Sequence, residues 1–195
     1  MAFDLQGFGD NQGMEYPFDL TDYANEVKQK LKEHNVEKPC VIAHSFGGRI
    51  AIKLASENPL LFDKIVLSGS AGLKPKFCLK RSIKKMAFRL LKSVLPKERL
   101  KKFYSNDYNS LSPIMQQSFI KIVNEHLDDR LRYIKNPTLI LVGDKDKETP
   151  YYMAKRLNRG IPFSSLKVVK GAGHFAFIDK PMKFNMEVGD FLFPE

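Results

Sequence analysis

The chain has 195 residues, is 43% hydrophobic and 28% charged, and carries a formal net charge of +10. That length holds one substantial core with at most a small inserted subdomain, and the apolar share excludes an intrinsically disordered chain. No apolar run reaches the roughly 18 residues of a spanning helix, and the N-terminus lacks the basic-then-apolar pattern of a secretory signal, which points to a cytoplasmic location.

The charge sits in one place. Between Lys74 and Lys102 stand twelve lysines and arginines against Glu98 alone, so the remainder of the chain is nearly neutral. A basic element, not a basic protein, is the reading, and without a nucleic-acid-binding motif no nucleic-acid partner is expected. Cys40 and Cys78 are outside any C-x-x-C and have no histidine at ligand spacing. They read as reduced packing residues and give no support to a metal site.

The chain opens with MAFDLQGFGD. Four of the first five residues are apolar and precede a Gly-x-Gly turn, the pattern of the last half of a buried strand running into a loop. Gly7-Phe8-Gly9 is a turn and not a dinucleotide fingerprint, because position 12 is glutamine and Pro17 interrupts before any helix. Leu20, Tyr23, Val27 and Leu31 recur at helical spacing, with Asp19 or Thr21 as N-cap. Residues 39–43 form a short apolar strand that ends at His44-Ser45-Phe46-Gly47-Gly48. A helix over 49–57 stops at Asn58-Pro59, and 64–68 is the next strand.

From about 71 to 136 strand signals vanish and helices take over, one over 82–95 and one starting at Ser112-Pro113 with Met115, Phe119, Ile122 and Val123 on one face. Strands resume over 138–142. A helix follows from Thr149-Pro150 to about 158, a last strand over 166–169 ends in Gly171-Ala172-Gly173-His174, and a final helix from Pro181 packs Phe184, Val188 and Phe191. Strands alternating with helices give an α/β class with a parallel sheet covered on both faces. The organisation is a core in two parts, 1–70 and 137–195, with 71–136 inserted as a helical unit.

Ser45, Asp146 and His174 each stand just past the carboxyl end of a predicted strand, where the ligand crevice of an open parallel sheet lies. A serine on a sharp strand-to-helix turn needs strained dihedrals and small residues two before and two after it. Ala43 and Gly47 meet that need, and Gly48 lets the following helix approach the sheet. The backbone N–H of Phe46, at the helix N-terminus, is aimed at a developing oxyanion. His174 is the general base and acid. Asp146 orients it, with Asp144 in the same loop as the competitor for that role. An acid after the strand over 64–68 is excluded, since Ser68-Gly69-Ser70-Ala71 holds no carboxylate. His44 neighbours the serine and points elsewhere, and His34 and His126 fall on helices; the three read as structural or solvated.

The stretches DLQGFG, AHSFGGR, PTLILVGDKD and GAGHF resemble successive landmarks of the α/β-hydrolase superfamily, in the branch with a helical cap, over essentially the whole chain. The order Ser, Asp, His is that of its triad. The first glycine of the G-x-S-x-G pattern is here Ala43. The resemblance implies a cap over 71–136 that shapes an acyl pocket, a small-molecule acyl substrate, and neither cofactor nor metal. A serine nucleophile excludes the relatives that attack with a carboxylate, haloalkane dehalogenases and epoxide hydrolases, and leaves esterases, C–C bond hydrolases and cofactor-free peroxidase-like members.

The resemblance also places MAFDLQGFG at the end of the family's fourth strand. On that comparison the first three strands, and the His-Gly segment that supplies a second oxyanion donor, are missing. The sheet would then carry a gap and two exposed apolar edges. Two functions follow: a serine hydrolase cleaving an ester or related acyl or C–C bond, or a catalytically silent remnant serving as a binding or scaffold protein. For the basic stretch, a solvated face over a packed one stands beside docking on anionic lipid and steering of anionic substrates.

Overall fold

The computed structural model describes residues 1–76 and 106–194. They fall into two compact units, residues 1–19 with 75–124, and residues 20–74 with 125–195. The expected helix over 82–95, Cys78 and most of the basic stretch lie outside the described residues.

The larger unit is built on four parallel strands in the order β1-β2-β3-β4: β1 (Val41–His44), β2 (Ile65–Ser68), β3 (Thr138–Gly143) and β4 (Ser164–Val169). The register pairs Val41 with Ile65, Ile65 with Thr138, and Thr138 with Ser164. The four strands therefore start level with one another, and β3 and β4 run two residues past the ends of β1 and β2. β2 and β3 are buried at every position, as central strands of a parallel sheet must be. At the edge, Ile42 of β1 is 54% exposed.

The helices of this unit are α1 (Leu20–Glu33) and α2 (Phe46–Glu57) and, past β3, α5 (Tyr151–Gly160), α6 (Ala176–Asp179) and α7 (Pro181–Leu192); α3 and α4 belong to the smaller unit. Each strand steps in the same direction across the sheet, so right-handed crossovers put α2 and α5 on one face. On the other face Val66, Leu139, Leu141 and Val169 meet Phe184 and Val188 of α7, with Phe191 partly buried against them, as the sequence pattern anticipated. α1 buries Leu20, Tyr23, Ala24 and Leu31.

α2 is buried around much of its circumference, including Arg49 and Lys53. Glu125 answers both charges, and Glu57 also answers the second. Arg49 Nη1 donates to the Glu125 carbonyl (2.8 Å), and Lys53 Nζ pairs with the Glu125 carboxylate (3.1 Å) and with Glu57 (3.3 Å). Burial pushes the Arg49 guanidinium below its ordinary range, and the Glu125 charge opposes that shift.

In the smaller unit, α3 (Asn106–Ser110) and α4 (Pro113–Asn124) are joined through Ser112, whose hydroxyl caps α4 by accepting from the Met115 N–H (3.3 Å). α4 buries Met115, Ser118 and Ile122, whereas Phe119, expected on that face, is 37% exposed and packs its ring edge-on to Tyr108 (5.6 Å).

The opening segment is not a strand. Residues 1–5 are irregular, and the chain then turns so that the Gly7 N–H donates to the Asn11 carbonyl (2.6 Å) and the Phe8 N–H to that of Leu5 (2.9 Å). A strand exists only with a ladder partner, and among the described residues none pairs with this one. Two further readings change. Cys40 is exposed, its thiol 3.7 Å from an Asp63 carboxylate oxygen, and does not pack in the core. His34 and His126 lie in the loops just past α1 and α4, not on the helices themselves.

Candidate active site

Ser45 occupies the single residue between β1 and α2. A chain that must leave a strand and enter a helix within one residue needs an unusual dihedral pair, and Ser45 has φ 47° and ψ −108°. For a residue with a Cβ this is a strained conformation, of the kind that persists only where surrounding contacts over-determine it. The contacts are backbone ones. The Ser45 N–H donates to the Ser68 carbonyl (3.1 Å), and the Ser45 carbonyl accepts from Gly48 and Ala71 (both 3.1 Å). Among the described residues the Ser45 hydroxyl makes no hydrogen bond and does not cap α2.

The small residues around the turn divide their work differently from the sequence reading. A Cβ on Gly47 would rest at ordinary contact distance, 3.9 Å, from the Ala43 Cβ. A Cβ on Gly48 would fall on the Ser70 side chain, with the Ser70 Cβ at 2.8 Å. Gly48 is therefore the position where close approach requires glycine. Phe46 begins α2, as expected, and its ring packs edge-on to Tyr23 (5.1 Å).

The acid and the histidine come together from the loops after β3 and β4. His174 Nδ1–H donates to Asp146 Oδ2 (2.9 Å). That carboxylate is held on every side: Oδ1 accepts from the N–H groups of Glu148 (2.9 Å) and Thr149 (2.8 Å), and Oδ2 also accepts from the Thr149 hydroxyl (2.7 Å). Its side chain is fully buried, and that of His174 is 7% exposed. Burial raises the Asp146 carboxyl, but the hydrogen bonds from His174 and Thr149 outweigh it and hold the group below the ordinary aspartate range. Asp144 does not reach the imidazole; it accepts from the Gly171 N–H (2.7 Å) and braces the histidine loop.

Two glycines make this convergence possible. Gly69, with φ 49°, lies so close beneath the pair that a Cβ there would be 3.1 Å from His174 Nδ1 and 3.3 Å from Asp146 Oδ2. At Gly143 a Cβ would land on the carbonyl oxygens of Ala172 and Gly173.

Three further residues were not legible in advance. His44, expected to point away, packs its ring 4.7 Å from that of His174 and against Phe175 and Phe177 (both 5.1 Å). Its Nδ1–H donates to the Ser68 carbonyl (3.1 Å), and its Nε2 is buried without a partner. Burial, and then the charge of His174, push its protonation below the ordinary histidine range. Thr149 braces Asp146. Glu148 places a carboxylate oxygen 3.3 Å from His174 Nε2, the ring atom opposite the one held by Asp146. The only sequence signal for these three was proximity to Ser45 or Asp146.

The arrangement offers a strained serine hydroxyl, a buried carboxylate and an imidazole oriented by it, all at one end of the sheet. The family model described as "Alpha/beta hydrolase family" matches residues 1–187. The chain is 29% identical over 218 residues to the AB hydrolase superfamily protein YisY of Bacillus subtilis, an alignment covering 98% of this chain and 80% of that one. It is 29% identical over 194 residues to a 2-hydroxy-6-oxononadienedioate/2-hydroxy-6-oxononatrienedioate hydrolase 2 of Pseudomonas putida, covering 87% and 68%. Among solved structures, an esterase from Exiguobacterium antarcticum superposes with a TM-score of 0.75 at 21% identity, covering 96% of this chain and 78% of that one.

Proposed function

The chain belongs to the α/β-hydrolase family, and within it we propose a serine hydrolase that cleaves an ester, or a related acyl or C–C bond, of a small carbonyl substrate. The observation that carries the reading is a strained Ser45 at the β1–α2 turn at the same end of the sheet as an imidazole whose Nδ1–H is fixed on a buried carboxylate. Among relatives, the name of the Pseudomonas putida protein speaks of hydrolysis of an oxo-dienedioate and that of the Exiguobacterium protein of an esterase.

In this reading Ser45 Oγ attacks the carbonyl carbon as its proton passes to His174 Nε2. The tetrahedral oxyanion is met by the Phe46 N–H, and collapse breaks the bond to the leaving group, which takes the proton from Nε2. Water then attacks the acyl-enzyme with His174 again as base, releasing the acid and restoring the serine. Asp146 stays ionised throughout, fixing the tautomer and balancing the imidazolium. The cap role of 71–136 and a cytoplasmic location belong to the same proposal; among the described residues no helix is long and apolar enough to cross a membrane.

The test is intact mass after exposure of the chain to a fluorophosphonate, beside Ser45→Ala. A single adduct on the chain and none on the variant is the expected result. A cooperatively melting chain that takes no adduct would instead favour a silent binding protein.

A further inference from the structure

Glu148 is a second carboxylate on the catalytic imidazole, and the mechanism above does not use it. Its Oε2 lies 3.3 Å from His174 Nε2 while 66% of its side chain remains exposed to solvent. Nε2 is the atom that must hand its proton to the departing group, so in the productive complex the leaving atom sits within about 3.2 Å of it. The leaving atom and the Glu148 carboxylate are then at most about 6.5 Å apart. Phe175, 47% exposed, stands beside the same imidazole, its ring centroid 5.3 Å from that of His174. A carboxylate and a partly exposed aromatic ring, both beside one imidazole, are the two elements that together recognise an organic cation. The other acid near the imidazole, Asp146, is buried and fully occupied by its own hydrogen bonds. Lys145 and Lys147 of the same loop are exposed and make no ion pair with Glu148 among the described residues.

We propose that Glu148, with Phe175, determines leaving-group specificity: the site prefers substrates whose departing alcohol or thiol carries a positive charge, such as an amino or quaternary ammonium group, and disfavours anionic ones. The inference rests on the serine-hydrolase reading and narrows it to one side of the scissile bond.

The test compares two thioesters with the same short acyl group, one leaving as thiocholine and the other as its uncharged analogue with a tert-butyl group in place of trimethylammonium. In the wild-type chain kcat/KM favours the cationic substrate. In Glu148→Gln that ratio falls roughly three- to tenfold, the size of one partly screened charge at this range, and in Glu148→Lys it drops below one. Raising salt lowers the ratio in the wild type and leaves it flat in Glu148→Gln. The neutral thioester is the internal reference, so a variant with altered folding changes both rates and not their ratio. Ser45-dependent hydrolysis with the same ratio in wild type and Glu148→Gln overturns the proposal and leaves the serine-hydrolase reading standing. Hydrolysis that survives Ser45→Ala, or none, sinks that reading instead. The charge preference is then decided by titrating tetramethylammonium while following the His174 ring protons by NMR. A weaker response in Glu148→Gln supports the cation site, and an equal one overturns it.

Discussion

The turn that carries Ser45 and the loops that carry Asp146 and His174 lie at the same end of the sheet, yet they are held by different kinds of interaction. Ser45 is fixed by backbone: three main-chain hydrogen bonds, a left-handed φ, and no side-chain bond from its hydroxyl among the described residues. Asp146 and His174 are fixed through a side chain, the Asp146 carboxylate, which accepts four hydrogen bonds, three from its own loop and one from the imidazole. Geometry at the first is set by folding alone. At the second it is set by folding and by protonation, so pH and conservative side-chain changes act there and leave the serine turn in place.

 The donors to that carboxylate are the Glu148 and Thr149 N–H groups, the Thr149 hydroxyl and His174 Nδ1–H.

The largest effect that separates the two regions is catalytic. Asp146→Asn keeps the size of the side chain but removes the acceptor that fixes the His174 tautomer, so turnover of an ester substrate is expected to fall about 10³–10⁴-fold. The fluorophosphonate adduct at Ser45 should form correspondingly slowly, and thermal melting should shift far less than activity does. Equal turnover in the variant would mean that Asp144, not Asp146, supports the imidazole in solution.

A second prediction attacks the side-chain region through its backbone. Gly143→Ala drives a Cβ into the Ala172 and Gly173 carbonyls, and a clash with main chain has no flexible group to absorb it. We expect a loss of about 3 kcal/mol in chemical denaturation, together with reduced activity because the His174 loop must move. Unchanged stability would show that the two loops do not meet as closely as this.

The serine turn answers in the opposite direction. Ser45→Gly removes the nucleophile and also the strain of a Cβ at φ 47°. Relief of that strain exceeds the entropy cost of a new glycine, so the inactive variant is expected to be more stable by about 1 kcal/mol. Ser45→Ala, which keeps the Cβ, should be equally inactive without that gain. Equal melting temperatures for the two variants would remove strain from the account of this turn.

The fold was legible where periodicity was strong. Residues 138–142 and the face of Phe184, Val188 and Phe191 could be read directly, because burial on both sides of a strand and on one side of a helix leaves a mark in the pattern of residues. The opening segment misled for the same reason: MAFDL has the composition of a strand, but composition says nothing about whether a partner is present to complete the ladder. Of the site, the positions of Ser45, Asp146 and His174 at strand ends followed from chain order. The contacts of Glu148 and His44 did not, since they depend on how two loops and a strand end pack in three dimensions. What a side chain at Gly69 or Gly143 would strike is likewise visible only in the packed loops.

The smallest effect is a pH dependence of stability that distinguishes His44 from Asp146. His44 is favoured in its neutral form, because protonation would place an N–H at a buried Nε2 that has no acceptor. The unfolded chain therefore binds this proton first, and stability is full above the unfolded value of 6.5 and drains as pH falls from there toward the lowered folded value. Asp146 is depressed from 3.8, so its contribution is intact above that value and is lost only as pH falls through the folded value below it. The two windows do not overlap near neutrality. Melting temperature followed from pH 7.5 to 5 should decline in the wild type and decline less in His44→Asn, which retains a donor for the Ser68 carbonyl without a group that titrates. Asp146→Asn, which removes a charge that favours the protonated His44, should not lessen that decline. Parallel curves for wild type and His44→Asn would mean that the pH response in this range arises elsewhere in the chain.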